Sequence, residues 1–298
     1  MTIAIHTEGL TKHYGDVEAL MNLDLDIHSG EVFGFLGPNG AGKTTTIRTI
    51  LDEIRPTAGK ASILGMDTHL QSVEIRDHIG YVPGDLAMYP NLTGKDTLTY
   101  FANLRGGVDW DYVEQLRERL GADLDKRVGD LSSGNRQKVG LIQAFMNKPE
   151  VLIMDEPSAG LDPLVQREFQ KMMREVAADG RTVFLSSHTL SEVQRVADRV
   201  GIIRQGRLIA VEGVADLRSK AIRTVNLYFD GPVDGNVFKP LPGVRDVKVD
   251  NHHVMLSFDG QMETLLKVVT ERFHVLYITT QEADLEEIFL TYYEEVSA

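Results

Sequence analysis

The segment at residues 37–44, which reads GPNGAGKT, constrains the fold of this chain more than any other. Its order of glycine, four residues, glycine, lysine and threonine is the pattern of a phosphate-binding loop. The nearly continuous apolar run at 30–37 leads into it, and helix-forming residues follow from Lys43 to Leu51. Glycines let backbone N–H groups point at phosphate oxygens, and a helix N-terminus adds a favourable dipole. The pattern therefore predicts a buried strand, a nucleotide loop and a helix.

The candidates for phosphate contact are the residues of this loop and the start of the helix: Gly37, Pro38, Asn39, Gly40, Ala41, Gly42, Lys43, Thr44 and Thr45. Among them, Lys43 would lie against the β- and γ-phosphates as a catalytic group, and the Thr44 hydroxyl would bind Mg²⁺. A glycine-rich turn with a solvated lysine is the alternative that this segment alone leaves open. A nucleotide site needs further residues elsewhere in the chain.

Two adjacent carboxylates supply the next candidates, in the segment VLIMDEP at 151–157. Asp155 is a candidate ligand for Mg²⁺, and Glu156 is placed to act as a general base or to orient an attacking water. Both follow a run of apolar residues that is typical of a buried strand. Two adjacent carboxylates directly after such a run are unusual for a solvated loop. An ordinary acidic strand end is the alternative.

Composition narrows the classes of function. The chain has 298 residues, a formal net charge of −13 and no cysteine. The acidic balance disfavours nucleic acid as a partner, because such surfaces gain affinity from Lys and Arg. Without cysteine there is no disulfide, thiolate metal site or cysteine nucleophile. The N-terminus lacks the pattern of a signal peptide, and no apolar stretch is long enough to span a bilayer, so we expect any membrane role to come through a partner.

Alternating strand and helix patterns predict the fold class, an α/β protein with a largely parallel sheet. Short strands are predicted at 30–36, 79–83, 151–155, 182–186 and 199–203. The stretch from about 86 to 147 is helical in pattern and predicts an inserted helical subdomain. Its segment at 110–120 places one apolar stripe on a helix, formed by Trp110, Val113, Leu116 and Leu120.

The composition shifts near residue 215, which predicts a second, smaller domain at 216–298 after a first domain at 1–215. Strands are predicted at 224–230, 245–250 and 253–259, and a helix at 262–273. The last segment, 284–296, carries an apolar helical face formed by Leu285, Ile288, Phe289, Tyr292 and Val296. Docking on its own domain is the first interpretation of that face, and binding a partner is the second.

The segment LSSGNRQK at 131–138 identifies a family. Together with the loop and the two carboxylates, it resembles the signature motif of the ATP-binding subunits of ABC transporters, over roughly residues 2–215. In that family the motif caps a helix whose N-terminus faces the γ-phosphate of ATP held by a second subunit. The resemblance implies this role for Ser132, Ser133 and Gly134. Serine at 133 and asparagine at 135 depart from the usual Leu-Ser-Gly-Gly-Gln form.

Three further residues match the family one by one. Tyr14 resembles the aromatic residue that stacks on adenine, and a surface tyrosine in a turn is the alternative. Asp162, in SAGLD, resembles the residue of the loop that contacts the opposing subunit. His188, which follows the strand at 182–186, resembles the histidine that bonds the γ-phosphate and positions water.

One family feature is missing. Members usually carry a glutamine after the strand at 79–83, where it reaches Mg²⁺ and the attacking water and senses the membrane partner. This chain has Gly84 followed by Asp85. The site could work without a side chain there, Asp85 could take its place, or coupling to transport could be altered. We expect hydrolysis to be retained, because the other site residues are all present: Lys43, Thr44, Asp155, Glu156 and His188.

The resemblance implies a P-loop NTPase core with an N-terminal antiparallel β subdomain, the inserted helical subdomain and a small C-terminal α/β domain. It implies an ATPase using ATP and Mg²⁺ that dimerises on ATP, as a homodimer or with a related subunit. It would lie at the cytoplasmic face of the membrane, bound to separate permease subunits. The C-terminal extension resembles the drug-exporter branch. The alternative is an ATP-switch protein with a regulatory role.

Overall fold

The structure, a computed structural model, describes residues 2–220 and 223–281, and the chain divides into two compact units. The first unit is Met1–Glu212 and the second is Gly213–Ala298. This division lies slightly before the boundary expected at residue 215 from composition. The apolar face expected at 284–296 lies outside the described residues.

The first unit contains a six-stranded sheet covered by helices. Its strands are β3 (Val32–Leu36), β6 (Ile79–Val82), β7 (Val151–Asp155), β8 (Thr182–Ser187), β9 (Arg199–Arg204) and β10 (Arg207–Gly213), in the order β10-β9-β3-β8-β7-β6. The pairs β3–β8, β3–β9, β6–β7 and β7–β8 are parallel. Every residue of β3, β7 and β8 is buried, as their continuous apolar runs predict. The expected α/β core is confirmed.

A second sheet at the N-terminus is antiparallel, as the family resemblance implied. It comprises β1 (Ile3–Tyr14), β2 (Val17–His28), β4 (Ala58–Ile63) and β5 (Met66–Asp67), in the order β2-β1-β4-β5. One apolar core joins the two sheets, because Ile5, Leu23 and Ile63 share a cluster of buried side chains with Phe35 and Phe184.

The α-helices of the first unit are α1 (Lys43–Ile50), α2 (Ser72–His78), α3 (Gly94–Leu104), α4 (Trp110–Leu120), α5 (Ser133–Phe145), α6 (Pro163–Ala178) and α7 (Leu190–Val196). Helices α3, α4 and α5 fall within the segment predicted to be helical. On α4, Val113, Leu116 and Leu120 are buried, but Trp110 is 43% exposed. Trp110, predicted on the same apolar stripe, is therefore not part of the buried face of α4. It is the first residue of the helix, directly after the N-cap Asp109.

The second unit has an antiparallel sheet with a helix on one face. Its elements are α8 (Val214–Lys220), β11 (Arg223–Phe229), β12 (Val244–Asp250), β13 (His253–Phe258), α9 (Met262–Arg272) and β14 (Val275–Gln281), with the sheet order β12-β13-β11-β14. Alternate residues of β11 and β13, including Val225, Leu227 and Leu256, form a core with Leu265 and Val269 of α9. The period of two in these strands places the other side chains on the opposite face.

Candidate active site

The predicted catalytic residues meet where four parallel strands end. The strand β3 leads into the glycine-rich loop, β6 into Gly84, β7 into Glu156 and β8 into His188. Parallel strands place their carboxyl ends at one edge of the sheet, which is where α/β proteins bind ligands. A cavity of about 490 Å³ lies at this edge, and Thr44, Gly84, Asp155 and Glu156 line it. We call it the catalytic cavity.

The glycine-rich loop is shaped by its backbone. Gly42 is the N-cap of α1 and has a φ of 109°, which a residue with a side chain rarely adopts. The loop leaves Pro38, Asn39 and Gly40 exposed, whereas Gly37 and Ala41 are buried and Thr45 is half-buried. The loop therefore presents its exposed turn beside the N-terminus of a helix, an arrangement suited to anions.

Lys43 is buried, and its ammonium is held by the loop itself. Its Nζ donates to the Gly37 carbonyl at 2.7 Å and to the Pro38 carbonyl at 3.3 Å. The same Nζ lies 3.2 Å from Oε1 of Glu156. A buried charge is costly unless it is paired and hydrogen-bonded, and these contacts satisfy that requirement. They also place the ammonium between the loop and the carboxylate that follows β7.

Asp155 is 1% exposed, and two hydroxyls donate to its carboxylate. Thr44 Oγ1 donates to Oδ2 at 2.6 Å, and Ser186 Oγ donates to Oδ1. A hydroxyl and a carboxylate are oxygen ligands of the kind that Mg²⁺ takes in nucleotide sites, where phosphates and water complete the octahedron. The described residues contain no group of three acidic or histidine side chains that could hold a metal by themselves. A metal ion here would need the oxygens of a nucleotide.

Glu156 connects the loop to His188. Its Oε2 lies 2.8 Å from Nδ1 of His188, and because an ionised carboxylate only accepts, Nδ1 is the donor. Glu156 has a φ of 48°, a left-handed conformation that costs a non-glycine residue about 1–3 kcal/mol. Its backbone N–H is held by the carbonyl and hydroxyl of Ser186. The surrounding bonds thus fix a strained residue with its carboxylate between Lys43 and His188.

The segment that resembles the signature motif begins helix α5. Ser132 is the N-cap, and its hydroxyl accepts from the Asn135 N–H at 3.3 Å. Ser132 and Ser133 are exposed, and Gly134 packs so closely on Gly160 that a Cβ at 134 would lie 2.5 Å from the Gly160 carbonyl. The described contacts of these three residues are with their own helix and this turn, so they do not join the catalytic cavity of the same chain.

Two other predicted residues also lie outside the cavity lining. Tyr14 ends β1 with 47% of its side chain exposed, and the Lys12 ammonium lies 5.1 Å from the centre of its ring. Asp162 is the N-cap of α6, where its carboxylate accepts from the N–H groups of Leu164 and Val165. Asp85 is exposed and lines the catalytic cavity beside Gly84.

Sequence reasoning missed two residues that hold the site in place. Ser186 bonds both Asp155 and the Glu156 backbone, and its signal was a pair of polar residues closing an apolar strand. Gln137 donates from Nε2 to the Pro157 carbonyl at 2.8 Å and is buried. No local pattern marks Gln137, because a glutamine on a helix is ordinary and its partner is distant in the sequence.

The loop geometry, the Thr44–Asp155 pair and the Glu156–His188 pair define a P-loop nucleotide hydrolase. A family model described as ABC transporter matches residues 20–159. The bacitracin transport ATP-binding protein BcrA of Bacillus licheniformis is 32% identical over 310 aligned residues, which cover 97% of each chain. The linearmycin resistance ATP-binding protein LnrL of Bacillus subtilis (strain 168) is 31% identical over 303 residues, covering 96% of this chain and 97% of that protein.

A solved structure described as the ATP-binding subunit of an ABC transporter superposes with a TM-score of 0.66. It is 30% identical in sequence, and the match covers 72% of this chain and 92% of the other. This protein belongs to the ABC transporter family, as one of its ATP-binding, ATP-hydrolysing subunits. No helix among the described residues is both long and apolar enough to span a membrane.

Proposed function

We propose that this protein is the motor of an exporter, binding Mg²⁺–ATP, pairing with a second ATP-binding subunit and driving separate permease subunits at the cytoplasmic face of the membrane. Relatives of nearly the same length are named for bacitracin transport and for linearmycin resistance. These names support a drug-like or hydrophobic compound as cargo. The observation that carries the motor role is the placement of Lys43, Asp155, Glu156 and His188 at one sheet edge.

The residues at this edge of the sheet divide the chemistry between them. Thr44 and Asp155 would hold Mg²⁺, which when bound offsets the charge of the β- and γ-phosphates. Lys43 exchanges Glu156 for phosphate oxygen when nucleotide enters, because its ammonium already lies at the mouth of the loop. Glu156 then takes the proton of the attacking water or orients it, and His188 keeps the carboxylate directed into the cavity.

Pairing of two chains follows from the exposed N-terminus of α5. This helix has 13 residues and begins with Ser132 and Ser133 exposed to solvent. The N–H groups of a helix N-terminus bind anions well, and the described hydrogen bonds at this end of α5 reach no residue of the glycine-rich loop of the same chain. The γ-phosphate held by a second chain would satisfy these donors. Tyr14 would stack on the adenine from its exposed position at the end of β1.

A groove beside the catalytic cavity is the proposed seat for a permease segment. It has a volume of about 370 Å³, and its apolar lining includes Leu51, Ile79, Phe101, Leu104 and Met146. We call it the docking groove. Tyr81, Pro83 and Glu53 line both the groove and the catalytic cavity, so an occupant would lie against the wall of the site. A short cytoplasmic helix of a membrane subunit fits such a groove through its apolar face.

The test of this function uses Glu156→Gln, which keeps the shape of the side chain and removes its basicity. In saturating Mg²⁺–ATP, light scattering after size exclusion should show a dimer for this variant, because ATP binds and is not consumed. Glu150→Gln is the matched control, since Glu150 directly precedes the same strand and is 60% exposed. The control should turn ATP over at the wild-type rate.

Two results would contradict the proposal. The motor mechanism is contradicted if the Glu156→Gln variant stays monomeric with saturating Mg²⁺–ATP, even with its membrane subunits present. A tagged wild-type protein that copurifies from native membranes with no integral membrane subunit, while retaining ATP turnover, favours the regulatory ATP switch instead.

A further inference from the structure

The docking groove and the catalytic cavity share one wall, made by Glu53, Tyr81 and Pro83. Tyr81 belongs to β6, the strand that pairs with β7 and places Tyr81 beside Ile153. Its ring is half-buried. Of the three shared residues, it alone has a large rigid side chain with a hydrogen-bonding group at its tip. A ring in this position contacts whatever enters from either side.

The hydroxyl of Tyr81 is set among charged groups of the site. Burial raises the pKa of this phenol, and the charges of Glu53 and Asp155 raise it further, while Arg48 acts in the opposite direction. The phenol therefore stays protonated at every working pH and is a hydrogen-bond donor. Arg48 and Glu53 also face each other, with Nε and Oε2 3.3 Å apart.

Gly84 follows the strand that carries Tyr81 and adds no side chain to the catalytic cavity. A Cβ at position 84 would lie only 3.2 Å from Asp155 Oδ2, so the backbone itself closes on the carboxylate. Asp85 lines the catalytic cavity but not the docking groove. A signal that passes from the groove to the carboxylates by side-chain contact must therefore pass through the shared wall.

We propose that Tyr81 is the positioning residue through which an occupant of the docking groove acts on Asp155 and on the attacking water. An occupant packs against the ring from the groove, and a displaced ring changes the lining of the catalytic cavity, because Tyr81 lines both spaces. The hydroxyl delivers that shift to the site. This role rests on the proposed docking of a permease segment in the groove.

The experiment uses the complete complex, copurified with the tagged protein from native membranes and placed in lipid nanodiscs. ATP turnover is measured for the isolated protein and for the complex, and their ratio reports stimulation by the membrane subunit. Tyr81→Phe keeps the ring and removes the hydroxyl, and we expect it to lower this ratio by about fivefold or more. The yield of copurified membrane subunit should stay at the wild-type level. A loss of docking would instead lower that yield.

The matched control is Tyr112→Phe. Tyr112 is also half-buried, burial also raises the pKa of its phenol, and it lines neither the docking groove nor the catalytic cavity. Removal of the Tyr112 hydroxyl should leave the stimulation ratio unchanged. The thermal unfolding midpoint of each variant shows whether loss of a buried hydroxyl has altered folding.

Each outcome decides between the two proposals. If the wild-type complex is stimulated and Tyr81→Phe is stimulated equally, the role of Tyr81 is overturned and docking stands. If the wild-type complex shows no stimulation, the docking proposal fails and the role of Tyr81 fails with it. Should Tyr81→Phe unfold early, the ratio is measured below the unfolding midpoint of that variant, and an unchanged ratio there also overturns the role.

Discussion

The two units of this protein both contain sheets and helices, but they bring residues together in different ways. In the first unit, parallel strands deliver the loops that follow them to one edge, so residues far apart in sequence, such as Lys43 and Glu156, meet there. In the second unit, the described strands β11 to β14 pair in opposite directions, so the loops that follow them do not all meet at one edge. Side chains of neighbouring strands meet on a face of this sheet instead. The ring of Tyr228 stacks on that of His253 with the ring centres 4.4 Å apart, and the ring centres of Tyr228 and Tyr277 are 5.8 Å apart.

This difference explains which functional residues a sequence reveals. The edge of a parallel sheet leaves a local mark, because its loops follow apolar strands, as Asp155 and Glu156 follow the apolar run VLIM. A face of an antiparallel sheet leaves only a period of two, which any half-buried strand shows. The first unit could therefore be assigned chemistry from its sequence, and the second could be assigned only a fold.

The largest effect that would test this comparison is on turnover. Glu156→Gln should reduce kcat by about 10²–10⁴-fold, the range for loss of a positioned general base. Glu263→Gln, in the first turn of α9, should leave kcat unchanged, because that carboxylate is exposed and belongs to the second unit. Steady-state phosphate release measures both. A large loss in the second variant would show that chemistry is not confined to the edge of the parallel sheet.

The next test concerns the separate cores. Phe184 is fully buried between Phe33 and Phe35, with ring centres 6.1 and 5.5 Å away, and Phe258 is fully buried in the second unit. Truncating either to alanine should cost about 3–5 kcal/mol. Calorimetry should show Phe184→Ala lowering one unfolding transition and Phe258→Ala lowering another, with ATP turnover kept in the latter. A single transition lowered equally by both changes would contradict two independent cores.

Buried amide side chains allow a smaller comparison between the units. Gln137→Leu leaves the Pro157 carbonyl without its donor, which costs about 1–3 kcal/mol and loosens the turn that carries Glu156. Asn226→Leu removes the partner of His253 Nε2, 2.9 Å away, at a similar cost. Urea titration should show both losses, but only Gln137→Leu should lower kcat. Equal kcat for the two variants would mean that the Gln137 contact does not position Glu156.

The smallest effect concerns a helix cap. Thr93 and Asp96 form a capping box at the start of α3, whereas the N-cap of α9, Gln261, makes no side-chain bond. Thr93→Ala should cost about 0.5–2 kcal/mol, while Gln261→Ala should cost almost nothing. Thermal unfolding measures both changes. Equal shifts would show that the cap is not what stabilises α3.

The stabilisation that the Asp96 carboxylate gives to the same cap depends on pH, and the direction of that dependence follows from its pKa shift. The Thr93 hydroxyl and backbone N–H lower the pKa of Asp96 below its ordinary value of 3.8. Because the folded-state pKa is the lower one, the stabilisation is fully present above the ordinary value and is lost as pH falls through the lowered pKa. Titration of the Asp96 carboxyl by NMR should show its pKa rising in Thr93→Ala. An unchanged pKa would show that the Thr93 side chain is not what lowers the pKa of Asp96.

Most of the fold followed from the sequence, because strand and helix periods are local. Apolar runs marked the parallel strands β3, β7 and β8, and the strands predicted at 224–230 and 253–259 correspond to β11 and β13. The exposure of Trp110 could not be predicted in this way, since a helical stripe says which residues share a face but not how far the covering surface extends. On α4 that surface ends at Val113.

The sequence by itself determined the phosphate loop, the two carboxylates at the end of β7 and the serine-capped start of α5, because backbone conformation at a turn or helix end depends on a few adjacent residues. Only the tertiary structure decided that Lys43 pairs with Glu156, that Ser186 supports Asp155 and that Tyr81 stands between two cavities. These contacts join strands separated by many residues. Their distances are set by sheet order and packing, which no local pattern encodes.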